Sequence, residues 1–405
     1  MNILLTSQYF PPDLGGVATR TGNLVKGLVL NGCQVTVITG FPHYPHGNIP
    51  KQYRWAPLKI EWVGQTRVIR SFMPPLKSEG LLKRLLLMGF FGISSLFALP
   101  WIGRIDAVWG GSWVSGVLYS KVKRVPVVLD VCDLTLEDLP MLKLTDEGSL
   151  LLQIATVIYR FFYAKGNAVA PISPGYVKTI NKKYSVNESK IDVIQVGVDT
   201  TEFKVVEKNR LESEPFKVIY AGVLGVGYDF DQIFEAAKLL EEKKVSVVFV
   251  IHGSGECLGS VRNKLKELNP MNVILSDKLL GSRREVANLL SSADALILPL
   301  KDYGGPYPGI PSKLYEYQAL GRPIICCAEG EPAKYISESN SGLVVEPENS
   351  KLLAEAVSYL IANPKKSREM GINGRNYVER EVTITAIGQK AKQLFEQLTE
   401  EQNDN

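Results

Sequence analysis

The sequence predicts an α/β chain of two doubly wound domains, each a parallel sheet covered by helices. Three observations carry that expectation. Short apolar, β-branched runs alternate with longer segments of helical periodicity. The alternation restarts near residue 217, beyond a charged stretch from Glu207 to Glu214. At 405 residues, each half is long enough to bury its own core.

The elements follow in order. Ile3 to Thr6 is an unbroken apolar run, as a buried parallel strand requires. The turn-rich Phe10-Pro11-Pro12-Asp13-Leu14-Gly15-Gly16 comes next. Leu24, Val25, Leu28 and Val29 recur at helical spacing, Asn31-Gly32 reads as the C-cap, and Val35 to Ile38 is the second strand. This is a βαβ unit, expected to cross over right-handed. Ala107 to Trp109, Val125 to Leu129 and Val169 to Pro171 add strands to the first half. Lys217 to Ala221, Val245 to Ile251, Asn272 to Leu275, Ala295 to Pro299 and Pro323 to Cys327 supply the second, with a helix over Asp231 to Leu240.

Leu85 to Ile102 contains no charged residue, and Lys83-Arg84 stand just before it. Its length is near the minimum for a membrane span, but Gly89, Gly92, Ser94, Ser95 and Pro100 dilute it. One reading is a helix packed on the sheet. The other is a helix dipping into the membrane interface, with its basic residues at the headgroups. Peripheral membrane contact through about 81–103 is favoured over a span, because the αβ pattern continues on both sides.

Composition narrows the function classes. Hydrophobic residues make up 45% and charged residues 22%, which excludes disordered, collagen-like and coiled-coil chains. A net charge of +4 is too balanced to suggest a nucleic-acid partner. Five cysteines with no CxxC pair give no disulfide framework and favour a reducing compartment; with only three histidines, they argue against structural zinc. No basic region followed by an apolar core and a cleavage site opens the sequence, so no secretory leader is expected.

Several motifs could carry chemistry. Gly15-Gly16, between the first strand and first helix, lets backbone approach a phosphate at a helix N-terminus; a plain tight turn is the alternative. Gly253-Ser254-Gly255-Glu256-Cys257-Leu258-Gly259 is GxGxxxG, not the dinucleotide fingerprint, and lies mid-chain. Asp229-Phe230-Asp231 is a DxD string that could hold a divalent cation. Capping of the following helix by Asp231, with Asp229 at N″, is the favoured reading. His43 and His46 lie in a proline-rich loop without a third ligand, so a substrate-facing loop fits better than a metal site. Asp130, Asp133, Glu137 and Asp138 follow a strand. They are either a solvated loop or a source of a carboxylate near a reacting hydroxyl.

The densest constellation runs from Tyr303 to Tyr317. A loop containing Tyr307, Gly309, Ile310 and Pro311 delivers Ser312 to a helix N-terminus, with Lys313 in the first turn. Free N–H groups, a hydroxyl and an ammonium together suit a diphosphate. Glu316, one turn on, could accept two sugar hydroxyl hydrogen bonds. A capped helix with a surface lysine is the plainer alternative.

These residues resemble the family 4 glycosyltransferases of the GT-B fold over nearly the whole chain. The resemblance is carried by Tyr9-Phe10-Pro11-Pro12 through Gly15-Gly16 and Arg20, by Phe41-Pro42-His43-Tyr44-Pro45 with Gly47, and by Ile172-Ser173. It continues through Gly197-Val198-Asp199 with Phe203, Gly253-Ser254-Gly255, Ala293-Asp294 and Gly321-Arg322-Pro323. Pro311-Ser312-Lys313-Leu314-Tyr315-Glu316 is the most specific match, and points to the branch that builds surface polysaccharides and includes aminosugar transferases.

The resemblance implies two Rossmann-like domains facing a cleft: an acceptor domain over 1–200, a donor domain over 201–382, and a C-terminal helix, about 383–405, crossing back. It implies a retaining transfer from a nucleotide-diphosphate sugar, UDP-linked as is common in the branch, to a lipid-linked or polysaccharide-precursor hydroxyl. No metal or other cofactor is required, and the enzyme would work in the cytoplasm at the inner face of the membrane. Donor-binding residues would be Gly15, Gly16, Arg20, Gly253, Tyr307, Gly309, Ile310, Pro311, Ser312, Lys313 and Glu316, with Glu316 on the ribose. His43, Asp133 and Glu137 are the candidate catalytic residues.

The chain also departs from the family pattern. Two glutamates eight apart are usual; the second is Glu316, but the first position is Pro308. The usual diphosphate-binding arginine and lysine fall on Val223 and Tyr228, and the interdomain asparagine on Val196. Those losses support a rival reading, a non-catalytic nucleotide-sugar-binding or scaffold subunit. A dinucleotide enzyme is disfavoured, since no acidic residue is placed for a ribose after a GxGxxG turn.

Overall fold

The computed structural model describes residues 1–404 apart from 44–48, 54–55, 75–80, 142–145, 147, 208–210, 212, 279 and 281. The chain forms two compact units, Met1–Gly197 with Ile384–Asn405, and Val198–Thr383. His46, in the proline-rich loop, lies outside the described residues.

The first unit contains β1 (Asn2–Ser7), α1 (Gly16–Leu30), β2 (Gln34–Gly40), β3 (Leu58–Val63), β4 (Thr66–Ser71), α2 (Leu81–Ser95), β5 (Ala107–Gly110), α3 (Trp113–Lys123), β6 (Val127–Val131), α4 (Thr135–Met141), α5 (Leu150–Tyr163), β7 (Ala168–Pro171) and α6 (Gly175–Tyr184). Its strands lie in the order β3-β4-β2-β1-β5-β6-β7, all parallel except the edge strand β3. Strand order reverses beside β1, so the β1 and β5 ends form the switch point where doubly wound sheets open a crevice.

The second unit contains β8 (Phe216–Ala221), α7 (Asp231–Glu242), β9 (Val247–His252), α8 (Leu258–Leu268), β10 (Val273–Ser276), α9 (Arg283–Ser291), β11 (Ala295–Pro299), α10 (Ser312–Ala319), β12 (Ile324–Cys327), α11 (Glu331–Ser339), β13 (Gly342–Val345), α12 (Ser350–Ala362) and α13 (Pro364–Glu381). Its six strands are parallel in the order β10-β9-β8-β11-β12-β13. The last helix, α14 (Ile384–Asp404), belongs to the first unit.

Each unit has its own core. In the first, Leu24, Leu28, Val37 and Trp109 meet Ile387, Ala391 and Phe395 of α14. Helices α1 and α14 approach so closely that a Cβ on Gly388 would collide with the Gly27 backbone. In the second, Val218, Tyr220, Ile233, Phe234, Leu240 and Ile297 are fully or nearly fully buried. Burying each such aliphatic or Phe side chain is worth roughly 1.5–3 kcal/mol.

Three local expectations change. Strands β3 and β4 went unread because Lys59, Glu61, Arg67 and Arg70 interrupt their apolar pattern; the Arg70 guanidinium is nonetheless buried, bonded to Glu61. The helix that carries the uncharged segment begins earlier, at Leu81, so Lys83 and Arg84 lie within it, and it is not one continuous α-helix. The α-helix ends at Ser95 and continues as a 3-10 turn to Trp101 that contains Pro100, a residue unable to donate a helical hydrogen bond. The carboxylate that caps α7 belongs to Asp229, one residue before the N-cap Phe230, and not to Asp231 in the first turn. The Asp229 Oδ1 accepts from Asp231 N at 3.0 Å and its Oδ2 from Gln232 N at 3.3 Å. Those bonds use both oxygens of the first DxD carboxylate.

Candidate active site

In the first unit, the carboxyl ends of β1, β5 and β6 open into a cavity of about 440 Å³. Gly15 and Gly16 form one wall. Gly111, Ser112 and Trp113 form another; Asp130 stands near the end of β6, and Cys132, Asp133 and Thr135 follow it. Arg84, Leu87 and Met88 of α2 and Tyr159 of α5 complete it. Gly15 holds φ at +105°, in the region that only glycine enters cheaply, which lets the chain turn straight into α1.

Asp130 is fixed from behind. Arg20 Nη2 lies 3.2 Å from its Oδ1, and another guanidinium nitrogen donates to the carbonyl of Gln195. The same guanidinium covers the Trp109 ring at 5.4 Å. Trp113 Nε1 donates to the Asp130 carbonyl at 2.7 Å. Asp133 reaches solvent, yet the enclosing walls push its carboxyl above the usual range; the Asp130 charge adds to the rise and Arg84 opposes it. Burial raises the Cys132 thiol strongly, which keeps it protonated.

The structure gathers Gly15, Gly16 and Asp133 around this cavity and leaves three other expected residues outside its lining. Arg20 was expected to meet a diphosphate, but it is 1% exposed and its guanidinium is committed to Asp130 and Gln195. Glu137 binds Lys183 at 2.7 Å and the Tyr184 hydroxyl at 2.9 Å. His43 is buried, not substrate-facing, with its ring 5.6 Å from that of Tyr9. Its Nδ1 lies 2.8 Å from the Phe41 carbonyl, which can only accept, so Nδ1 carries the proton.

Sequence reasoning did not single out Ser112, Trp113, Thr135 and Tyr159. The strand-end rule offered a signal for Ser112 and Trp113, which directly follow β5. Tyr159 had none, since α5 was not recognised.

In the second unit, the adjacent strands β9, β8 and β11 end beside the N-terminus of α10. The backbones of Gly222 and Gly253 are in contact; a Cβ on Gly253 would collide with the Gly222 carbonyl oxygen. Lys313 lies directly over Gly222, its Nζ 3.0 Å from where a Cβ would stand. Its ammonium donates to the Tyr228 hydroxyl at 2.9 Å and sits 4.8 Å from that ring's centroid. Ser312 opens α10 and Ile310 is buried beneath the preceding loop. Tyr307 stacks on Tyr303 at 4.9 Å.

Glu316, one turn into α10, is nearly buried and accepts from Arg283 Nη2 at 3.0 Å. Arg283 also pairs with Glu202 at 3.5 Å and covers the Phe203 ring at 5.0 Å. Burial works against the guanidinium charge, but the two carboxylates more than offset it. Arg283 was missed because nothing in the sequence marks a pairing partner 33 residues from Glu316.

The family described as glycosyl transferase 4-like domain matches residues 15–197, and that described as glycosyl transferases group 1 matches 202–377. A putative colanic acid biosynthesis glycosyl transferase, WcaI of Escherichia coli, is 26% identical, covering 94% of this chain and 96% of that one. A UDP-Gal:alpha-D-GlcNAc-diphosphoundecaprenol alpha-1,3-galactosyltransferase of Escherichia coli is 26% identical over 53% of this chain and 56% of its own. Among solved structures, sucrose-phosphate synthase from Thermosynechococcus elongatus has a TM-score of 0.73 at 18% identity, covering 99% of this chain and 100% of that one. HepE from Anabaena, in complex with UDP, has a TM-score of 0.67 at 14% identity, covering 98% and 100%. With both units matched, and the fold shared, the chain belongs to the glycosyltransferases of the GT-B fold, in the group 1 and 4-like family.

Proposed function

We propose that this chain is a retaining glycosyltransferase that moves a sugar from UDP to a hydroxyl of a lipid-linked polysaccharide precursor. The observation that carries the reading is Lys313. Its ammonium stands over Gly222, where a nucleotide diphosphate can approach bare backbone. The non-catalytic reading drew on the loss of cations at Val223 and Tyr228. Lys313 bonds the Tyr228 hydroxyl and restores one positive charge to that loop.

In this reading the second unit binds the donor. Glu316 accepts the ribose hydroxyls through the oxygen that Arg283 does not hold, and Lys313, Ser312 and the α10 N-terminus neutralise the diphosphate as it leaves. The acceptor hydroxyl bonds to the sugar's anomeric carbon on the face the diphosphate vacates. Its proton passes to a diphosphate oxygen, so no strong protein base is needed. The first unit orients the acceptor, with Asp130 and Asp133 accepting hydrogen bonds from sugar hydroxyls. The UDP-galactose-dependent relative and the UDP complex of HepE support uridine, and the diphosphoundecaprenol acceptor of that relative supports a lipid-linked one. Exposed Leu82, Leu86, Ile93 and Phe97 support peripheral membrane contact through 81–103, at the cytoplasmic face.

Calorimetric titration with UDP, GDP, ADP and CDP tests the donor. Binding of UDP well above the others, weakened about tenfold or more by Lys313→Ala, is the expected result. Absence of UDP binding overturns the reading.

A further inference from the structure

We infer that α5 is a second lipid-facing helix, forming with α2 one membrane-docking face that leads an acceptor's apolar chain into the cavity of the first unit. The inference deepens the proposed function and rests on it.

Helix α5 is built the wrong way round for a soluble surface. Leu150, Ile154, Val157 and Phe161 recur at spacings of four, three and four, so they form one stripe along the helix. That stripe is exposed: Leu150 by 72%, Val157 by 66% and Phe161 by 54%. Helix α2 and its 3-10 extension repeat the pattern, with Ile93 and Phe97 each 68% exposed. Leu81–Trp101 is long and apolar enough to cross a membrane by length and composition. Its opposite face holds it to the protein, however, since Leu81, Leu87, Phe91 and Ala98 are buried.

The two stripes belong to one layer. Helices α2 and α5 pack against each other, and both pack against α3. Isolated exposed apolar residues need no explanation, but two adjacent stripes make a patch that does. Charge identifies the occupant. Neither helix contains an acidic residue, while Lys83, Arg84 and Arg160 are exposed on them and Lys165 follows α5. Two apolar helices whose only charged residues are basic match an anionic bilayer. Both helices also reach the cavity, α2 through Arg84, Leu87 and Met88 and α5 through Tyr159. An acceptor whose chain stays in the bilayer can therefore present its sugar between them.

The test is co-sedimentation of the full-length protein with phosphatidylcholine vesicles, with and without phosphatidylglycerol. The variant Ile154→Ser/Val157→Ser/Phe161→Ser changes only exposed side chains. It should reduce partitioning onto anionic vesicles about tenfold or more while leaving UDP titration unchanged. Val157→Asp alone, with an unchanged thermal melt, should act in the same direction and guards against misfolding of the triple variant. Wild-type partitioning by either variant overturns the role of α5 and leaves the α2 contact standing. Wild-type protein that ignores both kinds of vesicle overturns the docking face, and a dimer that the triple variant dissociates assigns the patch to a second copy. UDP titration separates these failures from failure of the donor assignment.

Discussion

Arg283 donates to Oε1 of Glu316 across 3.0 Å, from α9 to the first turns of α10. A nearly buried carboxylate held at one oxygen presents the other in a fixed direction, which is what recognition of a ribose diol demands. Glu316→Ala should therefore weaken UDP and uridine alike by about tenfold or more. Arg283→Met should weaken both less, and the double variant should be no worse than Glu316→Ala alone. Calorimetry on the four proteins reads the coupling.

Lys313 should act on a different part of the ligand. Lys313→Ala should weaken UDP by about tenfold or more, the worth of a charge-assisted contact, and leave uridine binding unchanged. Tyr228→Phe removes only the hydroxyl that the ammonium meets at 2.9 Å, so its effect on UDP should be smaller. Equal loss of UDP and uridine in Lys313→Ala would sink the diphosphate role.

The Arg20–Asp130 pair should dominate the stability of the first unit. Asp130→Ala leaves a fully buried guanidinium unpaired, at a cost of about 3–5 kcal/mol. Arg20→Met with Asp130→Leu should recover much of that stability in a urea melt while losing transfer activity, since Asp130 lines the cavity.

Two glycines offer opposite outcomes. Gly253→Ala drives a methyl into the Gly222 carbonyl oxygen and should cost more than about 3 kcal/mol. Gly259, inside α8, has nothing within 4 Å of a Cβ, so Gly259→Ala should stabilise by up to about 1 kcal/mol. Denaturant midpoints distinguish them.

Burial pushes the Asp138 carboxyl up to about 7, with Asp133 and Glu137 adding to the rise and Arg84 opposing it. Unfolded, the same group titrates near 4. Between those values the folded state binds more protons than the unfolded one, so stability falls as pH rises from about 4 to about 7. Asp138→Asn cannot ionise and should flatten that slope. Chemical denaturation at pH 4, 5.5 and 7 gives the comparison.

The parallel strands were legible because a buried strand is a short apolar run, a property of consecutive residues. Ile3 to Thr6 and Ala295 to Pro299 needed no tertiary information. The edge pair β3 and β4 was hidden by Lys59, Glu61, Arg67 and Arg70; of these only Arg70 is buried, which its pairing with Glu61 across the strands allows. Ser312 at a helix N-terminus was readable from the Gly/Pro loop before it. The exposed stripe of α5 was not, because its periodicity matches that of a core helix and only packing decides which face meets solvent.

The sequence by itself determined the two-unit doubly wound architecture, the turn that places Gly15 and Gly16, and the Pro311-to-Glu316 segment that marks the family. All of these rest on local periodicity and turn chemistry. Only the tertiary structure decided which charges are committed and which remain available. Arg20 and Lys313 are both cations near a helix N-terminus in sequence. One is neutralised by Asp130, a residue 110 positions away, and the other is laid over Gly222 beside a tyrosine hydroxyl. Charge is written at each residue, but whether it is spent on the fold or left for a ligand depends on contacts between distant segments, and a linear sequence does not record those.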